Sequence, residues 1–134
     1  MLGRVLVVDD EVELGVVVKD LLEIEGFEVM ASHDAVSARE KLADGKFDLA
    51  ILDVFLSGGP TGLDLARYIL TEFPDTSVIL MTGYADKVDI DEACLSGAYT
   101  CIAKPFNLDD VLRVVAKALE GRHAVSEAGL YRSG

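Results

Sequence analysis

Three acids in a row, Asp9, Asp10 and Glu11, follow directly on the apolar run Val5–Val8. Further along, DLAILD ends in Asp53, SVILMTG carries Thr82, and YTCIAKPF carries Lys104. Each of these polar groups stands at the end of a short apolar segment. Like charges at the edge of a core raise one another's cost of ionising, so such a cluster of carboxylates needs a reason. A hard divalent cation supplies one. Oxygen ligands with room for waters favour Mg²⁺, with Mn²⁺ as the alternative. A carboxylate beside such an ion is also a nucleophile toward phosphorus and forms an acyl phosphate. A lysine and a hydroxyl nearby would hold the oxygens of the transferring phosphoryl group.

That chemistry needs elements which bring distant residues together. Short strand-like segments, 4–9, 28–32, 48–53, 77–81 and 99–103, alternate with segments of helical period. Several strand-like segments are continuous aliphatic runs, as expected of strands covered on both faces. Leu14, Val17, Val18, Leu21 and Leu22 form one helical stripe, Ala66, Ile69, Leu70 and Phe73 another, and Leu108, Val111, Leu112, Val115 and Leu119 a third. Ala35, Ala38 and Leu42 make a weaker one, and DKVDIDEACLSG (86–97) fills the fourth gap with acids at its start. Gly26, Gly45, Gly97 and Gly121 stand where helices should stop, Pro74 follows the third, and Asp34 and Asn107 suit N-caps. Five β-α repeats imply a parallel sheet with helices on both faces. In an open sheet of this class ligands bind outside the carboxyl ends of the strands. If strands 1, 3, 4 and 5 are neighbours, the three aspartates, Thr82 and Lys104 share one rim.

Length and composition agree. The 134 residues suit one domain, and 51% hydrophobic residues are enough for a sizeable core. No apolar run approaches the ~20 residues that span a bilayer, and MLGRVLVVDD is no signal peptide; a cytoplasmic protein with no membrane contact is expected. The net charge of −12 excludes a basic footprint for direct nucleic-acid binding. It suits a cation, a basic partner or solubility. Cys94 and Cys101 lack metal spacing and are expected as small buried hydrophobes, a redox pair being the alternative. His33 and His123 are expected as solvated, and Asp86, Asp89, Asp91 and Glu92 as a solvated helix face.

In VLVVDDE, DLAILDV, the downstream Gly62, LMTGYA and the Lys-Pro-Phe of 104–106, the chain resembles the receiver domains of two-component response regulators. The resemblance covers Gly3–Gly121. It implies a flavodoxin-like (βα)5 fold, a doubly wound parallel sheet of strand order 2-1-3-4-5. Residues 1–121 would form the receiver domain and 122–134 a flexible tail or linker. Asp53 would be the phosphoacceptor. Asp10 would be a direct Mg²⁺ ligand with Asp9 assisting, joined by Asp53 and the backbone carbonyl of Phe55. Thr82 would bond a phosphoryl oxygen, and Lys104 would pair with the phosphoryl group, or with Asp53 when it is empty. A cis bond before Pro105 would aim Lys104 into the site. Implied partners are a sensor histidine kinase or a phosphotransfer protein, and a second copy through the face of the fourth helix, fifth strand and fifth helix. Such a module catalyses its own phosphorylation and dephosphorylation without being a turnover enzyme.

Three positions depart from the family pattern. Cys101 stands where many receivers carry the aromatic switch, and Tyr99, two residues earlier on the same strand face, is a candidate replacement. Residue 57 is Ser where Pro is usual, and Gly62 lies nine residues past Asp53 where eight is usual, which implies a one-residue insertion in VFLSGGPTG. Phe55 and Tyr84, both bulky, flank the path of the hydrolytic water in this family and imply slow self-dephosphorylation.

Plainer roles exist for each residue. Asp9 and Asp10 could be a strand end meeting solvent, Asp53 a capping acid, Thr82 part of a turn and Lys104 a surface lysine. Rival functions are a pseudo-receiver docking scaffold, a haloacid-dehalogenase-type Mg²⁺ phosphatase and a flavin-binding module. The phosphatase would need a second Asp two residues past the nucleophile, where Phe55 stands. Flavin phosphate would be repelled by the acids after the first strand.

Overall fold

A computed structural model describes residues 2–82, 100–104 and 106–126. Its elements run β1 (Arg4–Val8), α1 (Val12–Ile24), β2 (Glu28–Ser32), α2 (Ala35–Asp44), β3 (Leu49–Asp53), α3 (Gly62–Glu72), β4 (Ser77–Thr82), β5 (Thr100–Ala103) and α5 (Leu108–Ser126). The label α4 is kept for the helix expected over 86–97, which lies outside the described residues. All five strands are parallel, in the order β2-β1-β3-β4-β5.

The strands read as aliphatic runs because both faces are covered. Leu6, Val8, Ala50, Leu52, Val78 and Leu80 pack with Ala35, Ala38 and Leu42 of α2 and Leu65, Ala66 and Ile69 of α3. Their neighbours Val5, Val7, Leu49, Ile51, Ile79 and Met81 point the other way, onto Val18 and Leu22 of α1 and Val111, Val115 and Ala118 of α5. Cutting Leu52, fully buried in the central strand, to Ala would cost about 2–5 kcal/mol through lost transfer and an unfilled cavity.

Caps set the entry angles of the helices. Asp34 accepts a hydrogen bond from the Ser37 backbone N–H at 2.8 Å, as its position suggests. Asn107 accepts from the Asp110 backbone N–H at 2.9 Å. At α3 the cap is a reciprocal box of Thr61 and Asp64 that the apolar stripe did not reveal.

Two sequence expectations are corrected. Val17 belongs to the apolar stripe by period, yet it is exposed, because α1 turns Gly15, Val18 and Leu22 to the sheet. Gly121 was expected to end the last helix, but α5 continues to Ser126; one glycine costs only ~1 kcal/mol in a helix interior. No helix among the described residues is long and apolar enough to cross a membrane.

Candidate functional site

The order of the strands reverses direction between β1 and β3, and the crevice beyond their carboxyl ends is where a doubly wound sheet binds ligands. Asp9 and Asp10 follow β1, and Asp53 is the last residue of β3. One carboxylate oxygen from each lies within 4.8 Å of the other two. Lys104 follows β5 and reaches across β4's end to the same place.

Backbone donors fix each acid. Asp9, 1% exposed, accepts the Glu11 N–H through Oδ1 at 2.8 Å. Asp53, 6% exposed, accepts the Phe55 N–H through Oδ1 at 3.1 Å. Asp10 Oδ2 accepts the Ser57 N–H at 3.2 Å, so the loop after β3 closes over the end of β1. Gly58 and Gly59 carry that loop with φ of +76° and +153°, conformations that glycine tolerates and other residues resist. At the loop's far end Gly62 donates its N–H to the Val54 carbonyl at 2.8 Å. A Cβ on Gly62 would collide with the Asp53 carbonyl oxygen, so α3 begins against the backbone of β3's last residue.

The Lys104 ammonium uses all three N–H groups on acids. Nζ lies 2.8 Å from Asp53 Oδ2, 3.0 Å from Glu11 Oε1 and 3.4 Å from Asp9 Oδ2. Burial alone would lower the pKa of Lys104, but the hydrogen bonds to Asp53 and Glu11 and the charges of Asp9 and Asp53 outweigh it and raise it. The pKa of Asp9 is raised as well, which for a carboxylate favours the neutral form. Burial pushes it up, the Glu11 N–H and the Lys104 charge pull it down, and the Asp53 carboxylate pushes it up again, to about 6. The rim therefore holds more negative charge than one ammonium balances. Its hard oxygen donors fit a small divalent cation such as Mg²⁺, and no sulfur or imidazole competes among them.

The remaining expected residues are placed as follows. Thr82 ends β4 in register with Ala103, beside Asp53's partner Met81; its hydroxyl lies outside the described residues, as do Tyr84, Tyr99 and Pro105. The Phe55 side chain is 53% exposed, so it stands at the rim facing solvent. Cys101 pairs with Leu80 across β4 and β5 and is half-buried and disulfide-bonded, not the free buried thiol expected. His33 is exposed as expected, with Nδ1 3.3 Å from the Asp9 carbonyl oxygen. Glu11 received no role from the sequence, although it stood in the same acidic run; only the side-chain geometry reveals its contact with Lys104.

A doubly wound parallel domain with carboxylates and a lysine at its switch point is the class of molecule that fold and site define. The family model of the response regulator receiver domain matches residues 5–116, and the chain belongs to that family. It is 34% identical over 121 residues to the nitrogen assimilation regulatory protein NtrX of Azorhizobium caulinodans, covering 90% of this chain and 27% of that protein. It is 33% identical over 122 residues to the transcriptional regulatory protein CpxR of Escherichia coli, covering 91% of this chain and 51% of that one. The chain thus spans about a quarter to a half of the length of these curated relatives. Among solved structures, the receiver domain of NtrX from Brucella abortus superposes with a TM-score of 0.83 at 36% identity, covering 87% of this chain and 98% of that one.

Proposed function

We propose that Asp53 accepts a phosphoryl group from the phosphohistidine of a sensor histidine kinase or phosphotransfer protein. The observation that carries this reading is the meeting of Asp9, Asp10 and Asp53 within 4.8 Å, with the Lys104 ammonium 2.8 Å from Asp53 Oδ2. An Asp53 carboxylate oxygen forms a bond to phosphorus as the P–N bond of the donor breaks, and the electron pair leaves on the imidazole nitrogen. Asp53 is preset for attack, since the Phe55 N–H holds Oδ1 and Lys104 holds Oδ2. Asp9, Asp10, Asp53 and the Phe55 carbonyl would hold Mg²⁺, or Mn²⁺, which neutralises charge on the phosphoryl oxygens when bound. Lys104 and the Thr82 hydroxyl would take up the remaining phosphoryl oxygens.

The phosphorylated state then shifts the population of interaction surfaces. The face of α4, β5 and α5 would serve as one such surface and as a homodimer contact, with Tyr99 standing in for the aromatic absent at Cys101. A structure with Tyr99 in one buried rotamer, both with and without a phosphate mimic, would defeat the Tyr99 role. Residues 1–121 would make up the phosphoaccepting domain and 122–134 a linker or tail whose first residues continue α5.

The test is intact mass after treatment with acetyl phosphate and Mg²⁺. One phosphate adduct on the wild type, lost in Asp53→Ala, is expected. An adduct that persists in Asp53→Ala, or none in the wild type, overturns the reading. Release of phosphate from small phosphomonoesters would favour the phosphatase.

A further inference from the structure

Glu11 precedes α1 at the N-cap position, yet its carboxylate makes no cap to that helix. It reaches Lys104 instead, with Oε1 3.0 Å from Nζ. It stands outside the group of Asp9, Asp10 and Asp53 whose oxygens converge for a cation. Its side chain is 64% exposed, whereas those of Asp9 and Asp53 are 0% and 8% exposed.

An ammonium has three N–H groups, and all three of Lys104 are directed at carboxylates. A phosphoryl oxygen arriving on Asp53 can bond Lys104 only if one of these contacts is given up. Asp9 and Asp53 are walled in by the core and by backbone donors. Glu11 lies at the rim, where water replaces a lost contact at little cost. The Asp53 contact passes to the phosphoryl group itself and the Asp9 contact is already the longest at 3.4 Å, so Glu11, at 3.0 Å, is the outside contact that holds Lys104 back.

We propose that Glu11 is a positioning residue that tethers Lys104 in the resting protein, and that releasing this tether is part of phosphorylating Asp53. The proposal rests on reading Asp53 as the phosphoacceptor. The tether favours the resting state, because its partner must be surrendered when the phosphoryl group binds. The lost contact is one exposed ion pair, so its removal should speed phosphorylation by about threefold.

The test compares Glu11→Gln with Glu13→Gln, which removes the same charge from an exposed position two residues on. Phosphorylation by acetyl phosphate with Mg²⁺ is timed for both, and again for Glu11→Gln in a Lys104→Met background. About threefold acceleration in Glu11→Gln, none in Glu13→Gln and none in the Lys104→Met background is expected. A second readout needs no phosphoryl group. In metal-free protein carrying nitrogen-labelled lysine, the NMR signal of the Lys104 ammonium should move in Glu11→Gln and stay in Glu13→Gln. A rate equal to or below wild type, the same acceleration without Lys104, or an unmoved ammonium signal overturns the tether. If Asp53 proves not to be the acceptor, the functional reading fails, and the ammonium signal still decides whether Glu11 holds Lys104.

Discussion

Lys104 Nζ stands 2.8 Å from Asp53 Oδ2, and this contact joins the end of β5 to the end of β3 across 51 positions of sequence. The ammonium is the counter-charge that lets buried Asp53 and Asp9 stay close together. Lys104→Met leaves those carboxylates uncompensated and should destabilise the metal-free protein by about 3 kcal/mol, within the range for removing one partner of a buried pair. Millimolar Mg²⁺ should restore most of the loss. Urea unfolding in EDTA and in Mg²⁺ measures both; equal midpoints for wild type and variant in EDTA would refute it.

Asp9 sets a pH dependence. Its pKa is raised from 3.8 to about 6 in the folded protein. Between those values the native state holds a proton at Asp9 that the unfolded chain lacks. The Asp9 contribution to stability is therefore largest below pH ~4 and is lost as pH rises to about 6. The full loss is of order 3 kcal/mol. Asp9→Asn should remove this slope, so the wild-type minus variant difference in unfolding free energy should fall between pH 4 and 6 without metal. A flat difference would contradict it. Mg²⁺ competes with that proton, so its affinity by calorimetry should weaken below about pH 6.

Gly62 tests the support behind Asp53. A methyl group there meets the Asp53 carbonyl oxygen and the Val54 backbone, neither of which can swing aside. Gly62→Ala should cost about 1–3 kcal/mol of stability, as overpacking does. It should also weaken Mg²⁺ binding, because Asp53 moves with its backbone. A variant with wild-type midpoint and wild-type Mg²⁺ affinity would show that the loop absorbs the shift.

Phe55 tests whether a bulky ring would shield an acyl phosphate on Asp53. With its ring facing solvent, it would have to fold over the site after phosphorylation to keep water out. Phe55→Asn combined with Tyr84→Glu should shorten the life of the aspartyl phosphate, followed by loss of the adduct mass over time. An unchanged lifetime removes the shield.

Much of the fold was legible because the strands are buried on both faces and their aliphatic runs mark them within a residue or so. The convergence of Asp9, Asp10, Asp53 and Lys104 was legible because strand ends in such a sheet share one edge. What periodicity does not encode is side-chain reach and loop closure. Glu11 looked like a third acid in a row until its carboxylate met Lys104. The Ser57 N–H on Asp10 depends on how the loop after β3 bends, which its glycines permit without dictating. Val17 matched the α1 stripe by spacing but lost its place when Gly15 took the sheet side.

Asp53 closes a strand in which every residue is buried, and its neighbour Val54 donates its N–H to the Met81 carbonyl at 2.8 Å. Were Asp53 to carry a phosphoryl group, as proposed, the added charge would stand on an anvil, with a fully buried strand beneath it. A message written there would have to leave sideways, through Lys104 and the loop after β3 that holds Asp10.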